Sequence, residues 1–294
     1  MERVIFAGLA FLLTSAQQAP QDPKVPIGVL PGARRVSRLH ITQPGTYENY
    51  LVDADGSEET AVTIRADNVV LRHCEIRNGR GEGIDVLGKD VTIEHVKIHH
   101  LLKGTYKKPV DAHGISGTPR GLTIRNCEIF YCSGDGIQFD PGRGAWDDVL
   151  IENCRIWTGP LPQDALGWKK GQRPGENALD TKTPKDETAR LTIRSSVFQG
   201  FRQPAQLDNM AALNLKEKIR VRVENCTFDG NEISFRIRGS GATVDVKGCT
   251  VARSDIALRV EDDSRVTLEQ LTIGEDVGRR IEYAGKNSAR VVEK

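Results

Sequence analysis

Eight stretches of the chain carry one pattern: NVVLRHCEI (68–76), DVTIEHVKI (90–98), GLTIRNCEI (121–129), DVLIENCRI (148–156), RLTIRSSVF (190–198), RVRVENCTF (220–228), TVDVKGCTV (243–251) and RVTLEQLTI (265–273). Their second residues are separated by 22, 31, 27, 42, 30, 23 and 22 positions. Within each stretch apolar and polar residues alternate, the period of a strand with one buried face. A short unit of this kind cannot bury a face alone, so neighbouring units must stack. The Leu-x-x-Leu-x-Leu frame of a leucine-rich repeat is missing. What remains is an all-β, single-domain parallel β-helix of about eight coils, spaced about 4.8 Å apart.

The repeat assigns roles to residues that would otherwise invite other readings. Asn126, Asn153 and Asn225 recur at one turn position, where Asn tolerates the left-handed conformation. His73 and His95 share that column and read as turn residues rather than metal ligands. Five of the six cysteines, Cys74, Cys127, Cys154, Cys226 and Cys249, also share one position; side chains stacked in register point the same way, which predicts buried free thiols rather than bridges. Cys132 falls outside the column. With 41 Lys+Arg against 40 Asp+Glu, the chain is neither a polybasic nucleic-acid binder nor an acidic tail protein.

Residues 4–13, VIFAGLAFLL, followed by Thr14-Ser15-Ala16, read as a signal peptide ending at residue 16. The run is too short to span a bilayer as a helix. The expectation is a secreted or periplasmic monomer: signal peptide 1–16, linker 17–35, β-helix 36–285 and C-terminal tail 286–294.

The four long spacings are consecutive, so insertions at 99–112, 140–147, 157–176 and 199–211 cluster in the central coils, where a solenoid carries its binding face. Trp146, Trp157 and Trp168 lie in two of them; Trp146 and Trp168 are expected to stack on sugar rings. The remaining strand of each coil aligns on Ile84, Ile115, Ile137, Leu179, Leu213, Phe235 and Leu258. The next residue then points outward: Asp85, Ser116, Gln138, Asp180, Asn214, Arg236, Arg259. Two positions on stand Asp140, Lys182, Lys216, Arg238 and Glu261. The residue before the register is Gly, Ala or Ser in all seven coils, which is read as leaving room above the strand.

This strip predicts a site for an acidic polysaccharide. Asp111 and Asp135, one coil apart, can begin a Ca²⁺ site completed by carbonyls, water and substrate carboxylate. Cleaving a polyuronate by β-elimination needs a base for the C5 proton and neutralisation of the adjacent carboxylate. Lys182, beside Lys216 and near Arg236, is the expected base, with Asp180, His113 and Arg236 as its catalytic neighbours. Lys216, Arg238, Gln138 and Asn214 are the expected substrate-binding residues.

Asn-Cys turns in 22-residue coils with Gly-Ile strands between them resemble the right-handed parallel β-helix of the pectin-lyase-like superfamily. More closely, the chain is similar to calcium-dependent pectate lyases, which implies calcium ligands at Asp111 and Asp135 and a lysine base. It departs from their pattern at Gly134 and Gln138, where further aspartates are expected, and at Asp180, where their lysine falls. Asp111-Ala112-His113 followed by Asp135 resembles the set of alginate epimerases and lyases, with Ala112 in place of their Pro; there His113 would handle a proton. Asp135-Gly136, Asp180 and Arg236-Ile237-Arg238 resemble an inverting polygalacturonase, whose Gly-His-Gly coil is missing at Ala211-Ala212-Leu213. The remaining alternative is a non-catalytic carbohydrate-binding β-helix.

Overall fold

A computed structural model describes residues 25–140, 144–184, 188–202, 210–285 and 289–294. The alternating stretches pair with their counterparts one repeat away into three parallel sheets of ten strands each. Sheet A runs from Arg34–Val36 to Thr272–Ile273, sheet B from Leu39–Ile41 to Arg279–Ala284, and sheet C from Gly45–Glu48 to Arg290–Glu293. Each coil passes through A, B and C in turn. Among the described residues there is no helix, and so none long and apolar enough to cross a membrane.

Ten strands per sheet exceed the eight repeats because residues 34–64, where alternation is broken by turns, and the C-terminal Arg279–Ala284 and Arg290–Glu293 supply further strands. The fold begins at Arg34, inside the expected linker; Leu30 N–H already donates to Asn49 Oδ1 and Gly28 N–H to the His95 carbonyl. At the other end Arg290–Glu293, expected as tail, pairs with Arg265–Leu268. The expected signal peptide lies outside the described residues.

The corner from C to A is the Asn-Cys turn. His73, His95, Asn126, Asn153, Ser195, Asn225, Gly248 and Gln270 all have φ between 49° and 63°, so every repeat turns on one left-handed residue. His73 and His95 stack at 4.9 Å, as a turn ladder requires. All six cysteines are free and buried. Those of the column each donate their thiol to the carbonyl two residues back, at 3.2–3.4 Å. Inside, columns of Ile, Val and Leu run the length of the solenoid, each buried side chain contributing about 1.5–3 kcal/mol.

Two insertions leave the corner between sheets A and B, a hairpin pairing Lys103–Thr105 with Lys108–Val110 and the long segment 158–176; most of the expected insertion at 199–211 lies outside the described residues. The fourth, after Phe139, leaves the opposite corner between B and C. The insertions therefore border sheet B on both edges, and its outer face becomes the floor between them.

Candidate active site

The register of sheet B places Asp85, Ser116, Gln138, Asp180, Asn214, Arg236 and Arg259 in one outward column, each the Cα partner of the next. The small residues before the register have a different cause from the expected one. A Cβ at Gly114 would lie 2.4 Å from the Gly136 carbonyl oxygen and 2.7 Å from Ile129 Cγ2. Small side chains are needed there because the next coil and sheet A leave no space.

At the centre, Asp180 accepts from two lysines. Lys182 Nζ is 2.6 Å from Oδ2, and Lys216 Nζ is 2.8 Å from Oδ1 and 2.9 Å from Oδ2. The Asp180 side chain is 2% exposed, Lys216 12% and Lys182 37%. For Lys182, burial acts downward, but the hydrogen bond and charge of Asp180 outweigh it and hold the ammonium above its ordinary value. For Lys216, burial dominates and, with the charges of Lys182 and Arg238, brings it below that value despite Asp180. Between this bridge and Arg236, the buried Asn214 Oδ1 has no hydrogen-bond partner among the described residues.

Next to the bridge lies a second layer. Asp135 is fully buried: Oδ1 accepts from the Asn177 N–H at 3.0 Å and its amide at 2.8 Å, and Oδ2 accepts from Gln138 Nε2 at 2.8 Å. Burial and the Asp180 charge push its carboxyl up to about 6. His113 Nδ1 accepts the Asp135 N–H at 2.9 Å, which puts the proton of a neutral ring on Nε2. The His113 N–H is in turn received by Glu82 Oε2 at 3.0 Å. Glu176, partly exposed at the edge of the strip, is pushed up to about 8 by burial and by Asp135, Asp111 and Asp180, so it is a protonated acid near neutrality.

Several expected roles change. Asp135 is fully buried with both oxygens taken by N–H donors, and the residue level with it one coil back is His113, not the exposed Asp111. This donor set does not fit a calcium ligand pair, and among the described residues no group of three His, Cys, Asp or Glu side chains is arranged to hold a metal ion. Gln138 faces Asp135 and braces it. Arg236 is engaged by Glu261 Oε1 at 2.9 Å, while Arg238 has no ion-pair partner among the described residues.

The tryptophans pack rather than face solvent. Trp146 is 1% exposed, lies against Phe139 with centroids 4.9 Å apart, and donates Nε1–H to the Lys182 carbonyl at 2.9 Å. Trp168 is 2% exposed in a satellite core with Leu102, Tyr131 and Leu161 beneath the long insertion. Neither indole leaves a face for a sugar. Sequence reasoning gave Glu176 no chemical role, because its acidity depends on its burial and on Asp135 and Asp111 from other coils together with Asp180 of its own. It also missed Gly134, whose Cβ would meet His113 Nδ1 at 2.6 Å.

In sequence, no curated protein matches the chain. Among solved structures, an alginate lyase from Paenibacillus sp. str. FPU-7 superposes with TM-score 0.58 at 13% identity, over 88% of each chain. Pectate lyase Pel9A gives 0.52 at 11% identity, over 83% of this chain and 67% of its own. Tailspike protein 2 of the Escherichia coli O157:H7 bacteriophage CAB120 gives 0.61 at 11% identity, over 91% of this chain and 38% of the tailspike. At such identities the likeness is one of fold. Residues 52–159 and 113–293 match the family described as the right handed beta helix region, and the chain belongs to that family.

Proposed function

We propose that the protein is an exported enzyme that binds an acidic, uronate-containing polysaccharide on the outer face of sheet B and cleaves it by β-elimination. The observation that carries this reading is the Lys182–Asp180–Lys216 bridge, accompanied by Arg238, which has no ion-pair partner among the described residues, and by Glu176, whose carboxyl burial and neighbouring carboxylates push up to about 8. The fold's resemblance to an alginate lyase and a pectate lyase supports the substrate class.

The electrostatics move the role of base from Lys182 to Lys216. Lys182, held charged, is suited to meet the uronate carboxylate and stabilise the negative charge that develops on it. Lys216, shifted toward its neutral form, takes the C5 proton. The C5–H electron pair becomes the C4=C5 double bond, the C4–O bond breaks, and Glu176 gives its proton to the departing oxygen. Arg238 holds a neighbouring carboxylate.

A second reading, carbohydrate binding without catalysis, is favoured by the burial of Asp135, Asp180 and His113, each 6% exposed or less. Hydrolysis by an inverting carboxylate pair is disfavoured because both Asp180 oxygens face lysines, leaving little capacity to activate a water.

The test is the ultraviolet absorbance of the unsaturated uronate on pectate, alginate and glycosaminoglycans, for wild type, Lys216→Ala and Lys182→Ala. Elimination predicts a rise that Lys216→Ala abolishes. New reducing ends without that absorbance would replace elimination by hydrolysis. Retention of the polymers with neither product would establish the binding reading.

A further inference from the structure

The outer face of sheet C carries a different pattern of charge. One of its columns, Glu152, Arg194, Glu224, Lys247 and Glu269, alternates in sign, with Arg194 bound to Glu152 and Lys247 to Glu269. Such alternation is what a solvated sheet face needs, since like charges opposite one another are destabilising. The column at the other edge breaks the rule: Arg190, Arg220, Thr243, Arg265 and Arg290 are successive partners. Arg190 is neutralised by Asp147. Arg220, Arg222, Arg265 and Arg290 are all exposed and form no ion pair among the described residues. A groove of about 430 Å³ lies beside Arg220 and Arg222, lined also by Asp148, Arg190, Thr192, Thr243 and Asp245, and Arg265 and Arg290 continue the arginine column past Thr243.

We propose that this face is a second binding site, for an anionic polysaccharide lying along the solenoid axis across the coils of Arg220, Thr243 and Arg265. Arginines repeating along a ladder of about 4.8 Å steps present planar donor pairs to a linear series of carboxylate or sulfate groups. Thr192, Thr243 and Asp245, between them, offer acceptors and donors for sugar hydroxyls. A nucleic acid fits less well: none of these columns carries an aromatic side chain for base stacking. The unpaired guanidinium groups cost the sheet stability in the free protein, and a polyanion removes that cost on binding. The site does not depend on catalysis at sheet B. On a cleaving enzyme it would hold the polymer while the other face acts.

Affinity electrophoresis through gels containing alginate, polygalacturonate, heparin or neutral dextran tests this, with a labelled oligonucleotide as competitor. The triple variant Arg220→Ala, Arg222→Ala, Arg265→Ala is expected to lose retention by a polyanion by about tenfold or more. The sheet B triple Lys182→Ala, Lys216→Ala, Arg238→Ala should lose only the share of retention that sheet B contributes and keep the arginine-dependent share, and dextran should retain neither. Stronger retention by alginate than by heparin assigns carboxylates as the ligand, and the reverse assigns sulfates. Lysine at the same three positions preserves charge and should restore most of the retention, which separates binding from any folding defect. Retention unchanged in the arginine variant, abolished by the sheet B variant alone, or displaced by oligonucleotide at lower concentration than by either polyanion would overturn the proposal.

Discussion

Gly134 gives His113 its place: the imidazole Nδ1 occupies the space within 2.6 Å of where a Cβ at position 134 would lie. That contact fixes the ring so that Nδ1 receives the Asp135 N–H. Gly134→Ala should displace the ring and break this hydrogen bond. The expected loss of stability is about 1–3 kcal/mol, from overpacking. The His113 ring resonances in NMR should shift while the sheet B strands keep their amide protection. An unshifted ring would mean that the backbone absorbs the methyl.

Asp180→Asn removes the only carboxylate that Lys182 and Lys216 share among the described residues. Breaking a fully buried pair costs about 3–5 kcal/mol, but Lys182 is 37% exposed and water screens it, so about 1–3 kcal/mol is expected in denaturant unfolding. Product formation should fall about 100-fold or more, because Asp180 is the hydrogen-bond acceptor that holds both amines in place. An activity within threefold of wild type would remove the bridge from the mechanism.

Glu176 makes the protein less stable as the solution becomes alkaline. Its folded value of about 8 is raised above the ordinary 4.5, so its contribution is complete below 4.5 and is lost as pH rises through about 8. Asp135, raised to about 6, acts in the same direction at lower pH. The melting temperature of wild type should fall across pH 5–9, and Glu176→Gln should flatten the upper part of that fall. The same substitution should remove the alkaline limb of the pH–rate profile, where the acid of the proposed mechanism loses its proton.

Trp146→Phe keeps a ring against Phe139 but deletes the Nε1–H donated to the Lys182 carbonyl. Stability should drop by about 0.5–1.5 kcal/mol, one hydrogen bond's worth. If Trp146 positions Lys182, kcat should fall with KM little changed. A rise in KM alone would point to contact with the substrate instead.

The thiol ladder predicts a simple count. Native protein should not react with a thiol reagent, and all six cysteines should react once it is unfolded without reductant. Fewer than six would reveal bridges.

The architecture was legible because a solenoid converts sequence period directly into space. Once Ile137, Leu179 and Leu213 are recognised as equivalent, parallel pairing obliges Gln138, Asp180 and Asn214 to be neighbours, and they are. The left-handed turn at Asn126 and its equivalents and the free cysteines follow from the same register.

What register does not contain is the direction and depth of a side chain at a corner. Asp135 reads as a surface ligand, yet it is fully buried, its carboxylate held by two amides and a backbone N–H. Trp146 reads as a loop aromatic, yet the cavity beside Phe139 takes it. The protonation of Glu176 and the contrast between Lys182 and Lys216 depend on charges contributed by separate coils. The sequence by itself determined the stack of coils and the columns on its faces, because strand period and backbone pairing are local and repeat. Only the tertiary structure decided which members of those columns are buried, paired or poised to move a proton, because desolvation and Coulomb interaction depend on everything within several ångströms, whatever its distance along the chain.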